Sequence, residues 1–101
     1  MWAQLIKVRV KPGTDLAALT DVLKAAEQPG SGLLREMFMH DQHDPDSVYV
    51  LAMFESEEKA RERERDPRRA EGQREIQAFL ADALAGPPEF VDLTVATDWV
   101  P

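Results

Sequence analysis

The order of strand-like and helix-like segments along the chain is the feature that most constrains its fold. The first segment, residues 2–11, reads WAQLIKVRVK, in which apolar side chains recur at alternate positions: Trp2, Ile6, Val8 and Val10. A period of two with many β-branched residues is typical of a strand that buries one face. Pro12-Gly13 ends this strand. We expect one face of the strand to carry Trp2, Gln4, Ile6, Val8 and Val10, and the other to carry Leu5, Lys7, Arg9 and Lys11.

An amphipathic helix is predicted next. Thr14 or Asp15 can accept hydrogen bonds from the free N–H groups at a helix start. Apolar residues at helical spacing follow and form one stripe: Leu16, Leu19, Val22, Leu23 and Ala26. The sequence PGSG at 29–32 ends the helix and turns the chain.

A β-hairpin is predicted for the middle of the chain. Two strand-like runs read LLREMFMH (33–40) and VYVLAMFE (48–55), and the polar turn DQHDPDS (41–47) joins them. The second run is apolar on both of its faces, which indicates that each side of the sheet is covered.

The last part of the chain predicts a broken helical region and a fourth strand. Ser56 can cap a helix that is highly charged until Asp66-Pro67, where we expect a break. Beyond the break, apolar residues recur at helical spacing: Ile76, Phe79, Leu80, Ala83 and Leu84. Gly86-Pro87-Pro88 ends this helix, and FVDLTVATDWV (90–100) reads as a strand.

The segment order is therefore β-α-β-β-α-β, which predicts an α+β, ferredoxin-like fold. We expect a four-stranded antiparallel sheet of order 4-1-3-2 with both helices on one face, and Trp99 near Trp2. The other sheet face would be bare and apolar in a monomer. A second sheet packed against it would cover it, so we predict a homodimer.

Composition limits the classes of partner. The chain has 101 residues, enough for one domain over 1–101, and it has no cysteine, which fits a cytoplasmic location. A net charge of −7 argues against nucleic acid and anionic membranes as partners. We see no signal peptide and no apolar run of the ~20 residues that a membrane span needs.

Four pieces of the sequence, in this order and spacing, resemble the antibiotic biosynthesis monooxygenase family of dimeric α/β-barrel proteins. They are VRVKPG (8–13), PGSGLLREMF (29–38), DPDSVYVLAMFESEEKARE (44–62) and FVDLTV (90–95). The resemblance covers nearly the whole chain. It implies a homodimer with a pocket between helices and sheet in each subunit.

The resemblance also implies a range of activities. Members include cofactor-independent oxygenases that oxidise aromatic polyketides to quinones, and haem-degrading enzymes. The quinone-forming members have an asparagine and a tryptophan at the positions of Val50 and Phe54, and neither residue here donates a side-chain hydrogen bond. The haem-degrading members have polar or haem-binding residues near the positions of Ile6, Glu62 and Gly72, so haem degradation is not expected.

The only histidines are His40 and His43. They could form a metal site with neighbouring aspartates, or His40 could act as a general base at the mouth of the pocket. Alternatively, His40 ends a strand and His43 lies in an exposed turn, and the two imidazoles then do not converge on one metal ion. We predict no metal and no cofactor, with His40 as the candidate catalytic residue.

The predicted substrate pocket is apolar, and its residues are Phe38, Val50, Phe54 and Phe79. Aromatic and methionine-rich strands suit a flat ligand, although they are more often part of a core or a dimer interface. The six arginines between 61 and 74 alternate with glutamates, which favours a solvated helix face. Two functions fit: a cofactor-independent monooxygenase acting on a small aromatic or polyketide-like substrate, or a non-catalytic ligand-binding or structural dimer.

Overall fold

The computed structural model describes residues 1–101 and contains the predicted elements in the predicted order. The strands and helices are β1 (Trp2–Arg9), α1 (Leu16–Ala26), β2 (Leu33–His40), β3 (Ser47–Phe54), α2 (Glu57–Glu64), a short 3-10 helix (Pro67–Arg69), α3 (Ala70–Ala83) and β4 (Glu89–Thr94). The expected break at Asp66-Pro67 is confirmed, and the 3-10 helix occupies it.

Side chains cap the helices where the sequence predicts. The carboxylate of Asp15 accepts hydrogen bonds from the N–H groups of Ala17 (2.9 Å) and Ala18 (3.2 Å) at the start of α1. The Ser56 hydroxyl accepts one from the N–H of Lys59 (3.1 Å) at the start of α2. Both caps satisfy backbone donors that have no partner inside the helix, so they define where each helix begins.

The sheet is fully antiparallel, with strand order β2-β3-β1-β4. This is the predicted order read from the opposite edge, so the predicted ferredoxin-like α+β fold is confirmed. Val50 lies at the centre, paired with Ile6 on one side and Phe38 on the other.

The fourth strand is shorter than predicted. β4 ends at Thr94, which pairs with Trp2, and residues 95–101 form no strand. Trp99 therefore lies beyond the last paired position and is 82% exposed, whereas Trp2 is buried. The predicted strand over 90–100, which was expected to bring Trp99 near Trp2, is wrong beyond Thr94, because the pairing of β4 with β1 ends there.

The core lies between the sheet and the helices. Alternate residues of β1 and β3, together with Val10 just beyond β1, face the helices and form two buried clusters. Helices α1 and α3 pack closely where Gly72 faces Ala26. The end of α3 is tied to the sheet by hydrogen bonds from Lys11 N–H to Ala83 O (2.8 Å) and from Ala85 N–H to Arg9 O (2.9 Å).

The opposite face of the sheet has no covering layer. It carries apolar side chains that include Met39, 41% exposed, and Leu93, 37% exposed. None of the helices has the length and apolarity to cross a membrane. The homodimer and the cytoplasmic location stay predictions.

Candidate functional site

A cavity of about 290 Å³ lies between the helices and the inner face of the sheet. Most of its lining is apolar and comes from alternate residues of β1 and β3 and from α1 and α3. The cavity sits where it does because these strands alternate strictly: every second side chain points towards the helices, and the small side chains of Ala52 and Ala60 leave space there.

Three of the four predicted pocket residues line this cavity: Phe38, Val50 and Phe54. Their backbones are paired across β2, β3 and β1, so their positions are fixed by the sheet. Phe54 also packs on Trp2, with ring centroids 5.8 Å apart and the planes tilted by 51°. Their role in binding a substrate stays a prediction.

The fourth predicted pocket residue, Phe79, does not line the cavity. It is half-buried on α3, two helical turns after Gly72, and therefore lies on the flank that faces α1. The side of α3 that reaches the cavity carries Gln73, Ile76 and Leu80 instead. The apolar stripe of α3 is wide enough to pack against both α1 and the sheet. Its spacing in the sequence does not show which of its residues face the sheet.

His40 is exposed at the end of β2 and is not part of the cavity lining. His43 is exposed in the following turn, where the Asp41 carboxylate accepts hydrogen bonds from the N–H groups of His43 (2.7 Å) and Asp44 (3.2 Å). The turn thus uses Asp41 for backbone capping. No cluster of three or more histidine or carboxylate side chains could hold a metal ion.

The most unusual side chain at the cavity is Arg69, which is only 4% exposed. Its Nε has no hydrogen-bond partner, and no ion pair of the structure includes it. Burial, together with the nearby charge of Arg63, lowers the pKa of Arg69 below the usual value for arginine.

The sequence Asp66-Pro67-Arg68-Arg69 explains how a charged residue comes to point inwards. Asp66 caps the 3-10 helix by accepting a hydrogen bond from the N–H of Arg68 (2.9 Å). It also holds the Arg68 guanidinium at 2.7 Å, on the outside of the molecule. Since each residue of a 3-10 helix turns by about a third of a circle, the next side chain, Arg69, is directed to the buried side.

A second arginine, Arg63, borders the same end of the cavity but is fully paired. Its guanidinium donates to both carboxylate oxygens of Glu27, at 3.1 and 3.4 Å, and lies 5.7 Å from the centre of the Phe54 ring. Burial acts to raise the pKa of Glu27, but hydrogen bonds from Arg63 and from the N–H of Gln28 outweigh it and lower that pKa. Arg63 and Glu27 therefore form a charged pair that joins α2 to the end of α1.

Glu36 brings a carboxyl group to the cavity from β2, opposite Ala52 of β3. It accepts no hydrogen bond and forms no ion pair. Burial raises the pKa of Glu36, and the positive charges of Arg63 and Arg69 only partly oppose this. The polar end of the cavity thus holds a proton-binding carboxyl group and an unpartnered guanidinium beside aromatic and aliphatic walls.

Neither Glu36 nor Arg69 is among the site residues predicted from the sequence. Arg69 was assigned to a solvated helix face, which is wrong because the break at Asp66-Pro67 changes the phase of the helix. For Glu36 a signal was available. It lies two residues before Phe38 on a strand, so a pocket position for Phe38 puts Glu36 on the same face.

Comparisons with known proteins find similarity in structure rather than in sequence. No family profile matches the chain, and no curated protein is detectably similar to it in sequence. The solved structure of SnoaB, a cofactor-independent oxygenase from Streptomyces nogalater, matches with a TM-score of 0.67 at 15% identity, over 96% of this chain and 94% of that chain. Two further structures, from Nitrosomonas europaea and Chloroflexus aurantiacus, carry the name antibiotic biosynthesis monooxygenase.

The chain has the fold of the antibiotic biosynthesis monooxygenases. A monooxygenase from Streptomyces coelicolor, solved in complex with the ligand nanaomycin D, shares this fold with a TM-score of 0.65 and 24% identity, over 99% of this chain and 91% of that chain. A protein of unknown function from Nitrosomonas europaea matches equally well, with a TM-score of 0.68 and 21% identity, over 99% and 93% of the two chains. The fold expected from the resemblance is confirmed.

Proposed function

We propose that the protein is a cofactor-independent monooxygenase that oxidises a small aromatic or polyketide-like substrate inside the cavity. The observation that carries this proposal is an apolar cavity of about 290 Å³ with a carboxyl group of raised pKa at one end. The names of two proteins with the same fold, an oxygenase that needs no cofactor and a monooxygenase with a bound ligand, support the same reading.

The chemistry would use an electron-rich substrate. A CH₂ group between an aromatic ring and a conjugated carbonyl, as in an anthrone, loses a proton to give an enolate. The enolate passes an electron to O₂, and the radical pair combines to a peroxide at the same carbon. Protonation and loss of water leave a carbonyl group, so the balance is R₂CH₂ + O₂ → R₂C=O + H₂O.

Within this scheme Glu36 is the proton acceptor. It lies in the cavity, whereas His40, the residue expected from the sequence, does not. A carboxyl group with a raised pKa is a stronger base when ionised than an exposed one, and it can return the proton to the peroxide. The apolar walls exclude water and hold the flat substrate in one orientation, which favours enolate formation next to the carboxylate.

Oxygen uptake with anthrone and dithranol tests the proposal. We expect turnover above the rate of oxidation in buffer, and Glu36→Gln should reduce it at least 100-fold, in line with the usual contribution of a general base of about 10²–10⁴-fold. Glu75→Gln, which changes an exposed glutamate on α3, is the matched control and should retain the activity. Failure of the folded wild-type protein to consume oxygen with either substrate would contradict the proposal.

A second function remains supported by one observation. Val50 and Phe54 line the cavity, but neither side chain can donate a hydrogen bond to a substrate oxygen. A non-catalytic protein that binds a flat ligand would need no such donor. Binding of an anthrone to wild-type protein without any oxygen uptake would favour this second function.

We also propose that the protein is a homodimer that packs through the outer sheet face. The partly exposed side chains of Leu51, Met39 and Leu93 lie on this face, which no helix covers. Two such sheets can bury their apolar faces against each other around a twofold axis. Light scattering after size-exclusion chromatography should give twice the monomer mass of 11.4 kDa.

A charge on the outer face should break this dimer. Leu51→Glu places a carboxylate at the middle of β3, and we expect it to yield monomer at micromolar concentration. Val100→Glu makes the same change in the exposed C-terminal tail and should leave the dimer intact. A wild-type protein that elutes as a monomer would exclude the proposed assembly.

A further inference from the structure

We propose that Arg69 is the binding site for an anionic oxygen group of the ligand, so that the cavity selects aromatic acids: flat bodies that carry a carboxylate at one end. The inference rests on the proposed function only in taking this cavity as the ligand site. It requires binding and does not require oxidation.

The state of Arg69 is the first reason. Its side chain lines the cavity, it is 4% exposed, and its Nε has no hydrogen-bond partner. The neighbouring Arg68, in contrast, has hydrogen-bond acceptors for its guanidinium. Its guanidinium donates to Asp66 at 2.7 and 3.1 Å and to the carbonyl oxygen of Pro29 at 3.3 Å.

The free energy of such a group is the second reason. A buried charge without a counterion is strongly unfavourable, and a buried donor without an acceptor costs about 1–3 kcal/mol. Folded proteins contain few such groups, and they are concentrated at functional sites. A ligand that supplies the missing acceptor would recover this cost on binding.

The carboxylates near Arg69 do not supply the missing counterion. Glu27 is engaged by Arg63, and Asp66 is engaged by Arg68. Glu36 lines the same cavity, but it makes no ion pair or hydrogen bond with Arg69. These carboxylates attract Arg69 through space, but none of them contacts it, so an acceptor in direct contact with its guanidinium has to come from the molecule in the cavity.

The chemistry of the guanidinium and the shape of the cavity define the class of ligand. A planar guanidinium matches the two oxygens of a carboxylate in a bidentate arrangement, which an ammonium cannot reproduce. The remaining walls are apolar, and the rings of Phe38 and Phe54 offer faces for an aromatic body. A volume of about 290 Å³, at the small end of ligand pockets, suits a body of two or three fused rings.

Equilibrium binding of an isosteric pair tests the inference. We would titrate the wild-type protein with 2-naphthoate and with 2-naphthamide, which share shape and differ in charge, and measure both dissociation constants by calorimetry at pH 8. We expect 2-naphthoate to bind at least tenfold more tightly. Equal affinities for the two compounds would overturn the inference.

Variants of Arg69 test whether this residue causes the preference for 2-naphthoate over 2-naphthamide. Arg69→Met should reduce the preference for 2-naphthoate to less than twofold, and Arg69→Lys should leave it intermediate because the ammonium lacks the fork geometry. Arg74→Met, which removes an exposed arginine from α3, should retain the full preference. A preference that survives both Arg69 substitutions would contradict the assignment.

Glu36→Gln separates this inference from the proposed oxygenase function. The substitution removes the base and should abolish oxygen uptake, while the loss of a nearby titratable carboxyl group should tighten 2-naphthoate binding about threefold or more without changing 2-naphthamide binding. Tight, charge-selective binding in a protein that never consumes oxygen would overturn the oxygenase proposal and support the anion site. Oxygen uptake by a protein that binds 2-naphthoate and 2-naphthamide equally would support the oxygenase proposal and overturn the anion site.

Discussion

The guanidinium of Arg69 and the carboxyl group of Glu36 line the same cavity and yet form no ion pair. They come from different elements, the 3-10 helix and β2. Each group is unfavourable in its charged form because of burial. Both groups therefore lower the stability of the fold, a cost that is common at functional sites and that the proposed ligand would offset.

Removal of the buried guanidinium should stabilise the protein. Arg69→Met keeps a long, flexible side chain and removes an unpartnered donor and a buried charge, so we expect the free energy of unfolding to rise by about 1–2 kcal/mol. Urea denaturation measures the change. Arg74→Met, at an exposed site, should change stability by less than about 0.5 kcal/mol. A less stable Arg69→Met protein would show that the guanidinium has a structural partner.

Glu36 should make stability fall as the pH rises. Burial raises the pKa of Glu36 in the folded protein above its value in the unfolded chain, which is about 4.3. The folded state then binds the proton more tightly, so the stabilisation is complete below that value and is lost as the pH rises through the folded pKa. Measured from pH 4 to 8, Glu36→Gln should gain stability relative to the wild type. A difference that does not change with pH would contradict the raised pKa.

Glu27 should have the opposite pH dependence. Hydrogen bonds from Arg63 lower the pKa of Glu27, so its contribution is present above the unfolded value and is lost as the pH falls through the folded pKa. Glu27→Gln should cost about 1 kcal/mol at pH 7, a modest value because the pair is partly solvated. Unfolding curves at pH 7 and pH 3 should show this cost disappearing in acid. Glu75→Gln is the exposed control.

Helix packing above the cavity should depend on Gly72. A Cβ at this position would overlap that of Ala26 on α1 and lie 2.8 Å from its Cα. Alanine usually stabilises a helix relative to glycine by about 1 kcal/mol, but here the overlap should reverse the sign and destabilise by about 1–3 kcal/mol. Adding Ala26→Gly should recover part of the loss in thermal unfolding. A Gly72→Ala protein as stable as the wild type would show that the helices separate freely.

The fold could be predicted from the sequence because its local signals agree with one another. Strict alternation at 2–11, the capping residues Asp15 and Ser56, and the polar turn at 41–47 all indicate the same element order. The end of β4 could not be predicted in this way. Residues 95–100 continue a strand-like pattern, but the pairing of β4 with β1 ends at Thr94, and a local pattern does not show where strand pairing stops.

The site was less predictable, since its polar residues depend on tertiary packing. Val50 and Phe54 were expected from the family resemblance and Phe38 from the aromatic and methionine-rich strands, and all three line the cavity. Arg69 belongs to a run of charged residues that is typical of a solvated surface. It points inwards only because the 3-10 helix changes the direction of the side chains that follow the break at Asp66-Pro67. His40 shows the reverse case: a reactive side chain suggested a role, while the end of β2 leaves it exposed outside the cavity.

The most direct test of the account is a crystal structure of the protein soaked with 2-naphthoate. We predict the carboxylate within hydrogen-bond distance of the Arg69 guanidinium and the rings against Phe38 and Phe54. An empty cavity at saturating ligand, or a ligand whose carboxylate points away from Arg69, would contradict the assignment of this buried arginine as the site that recognises the substrate.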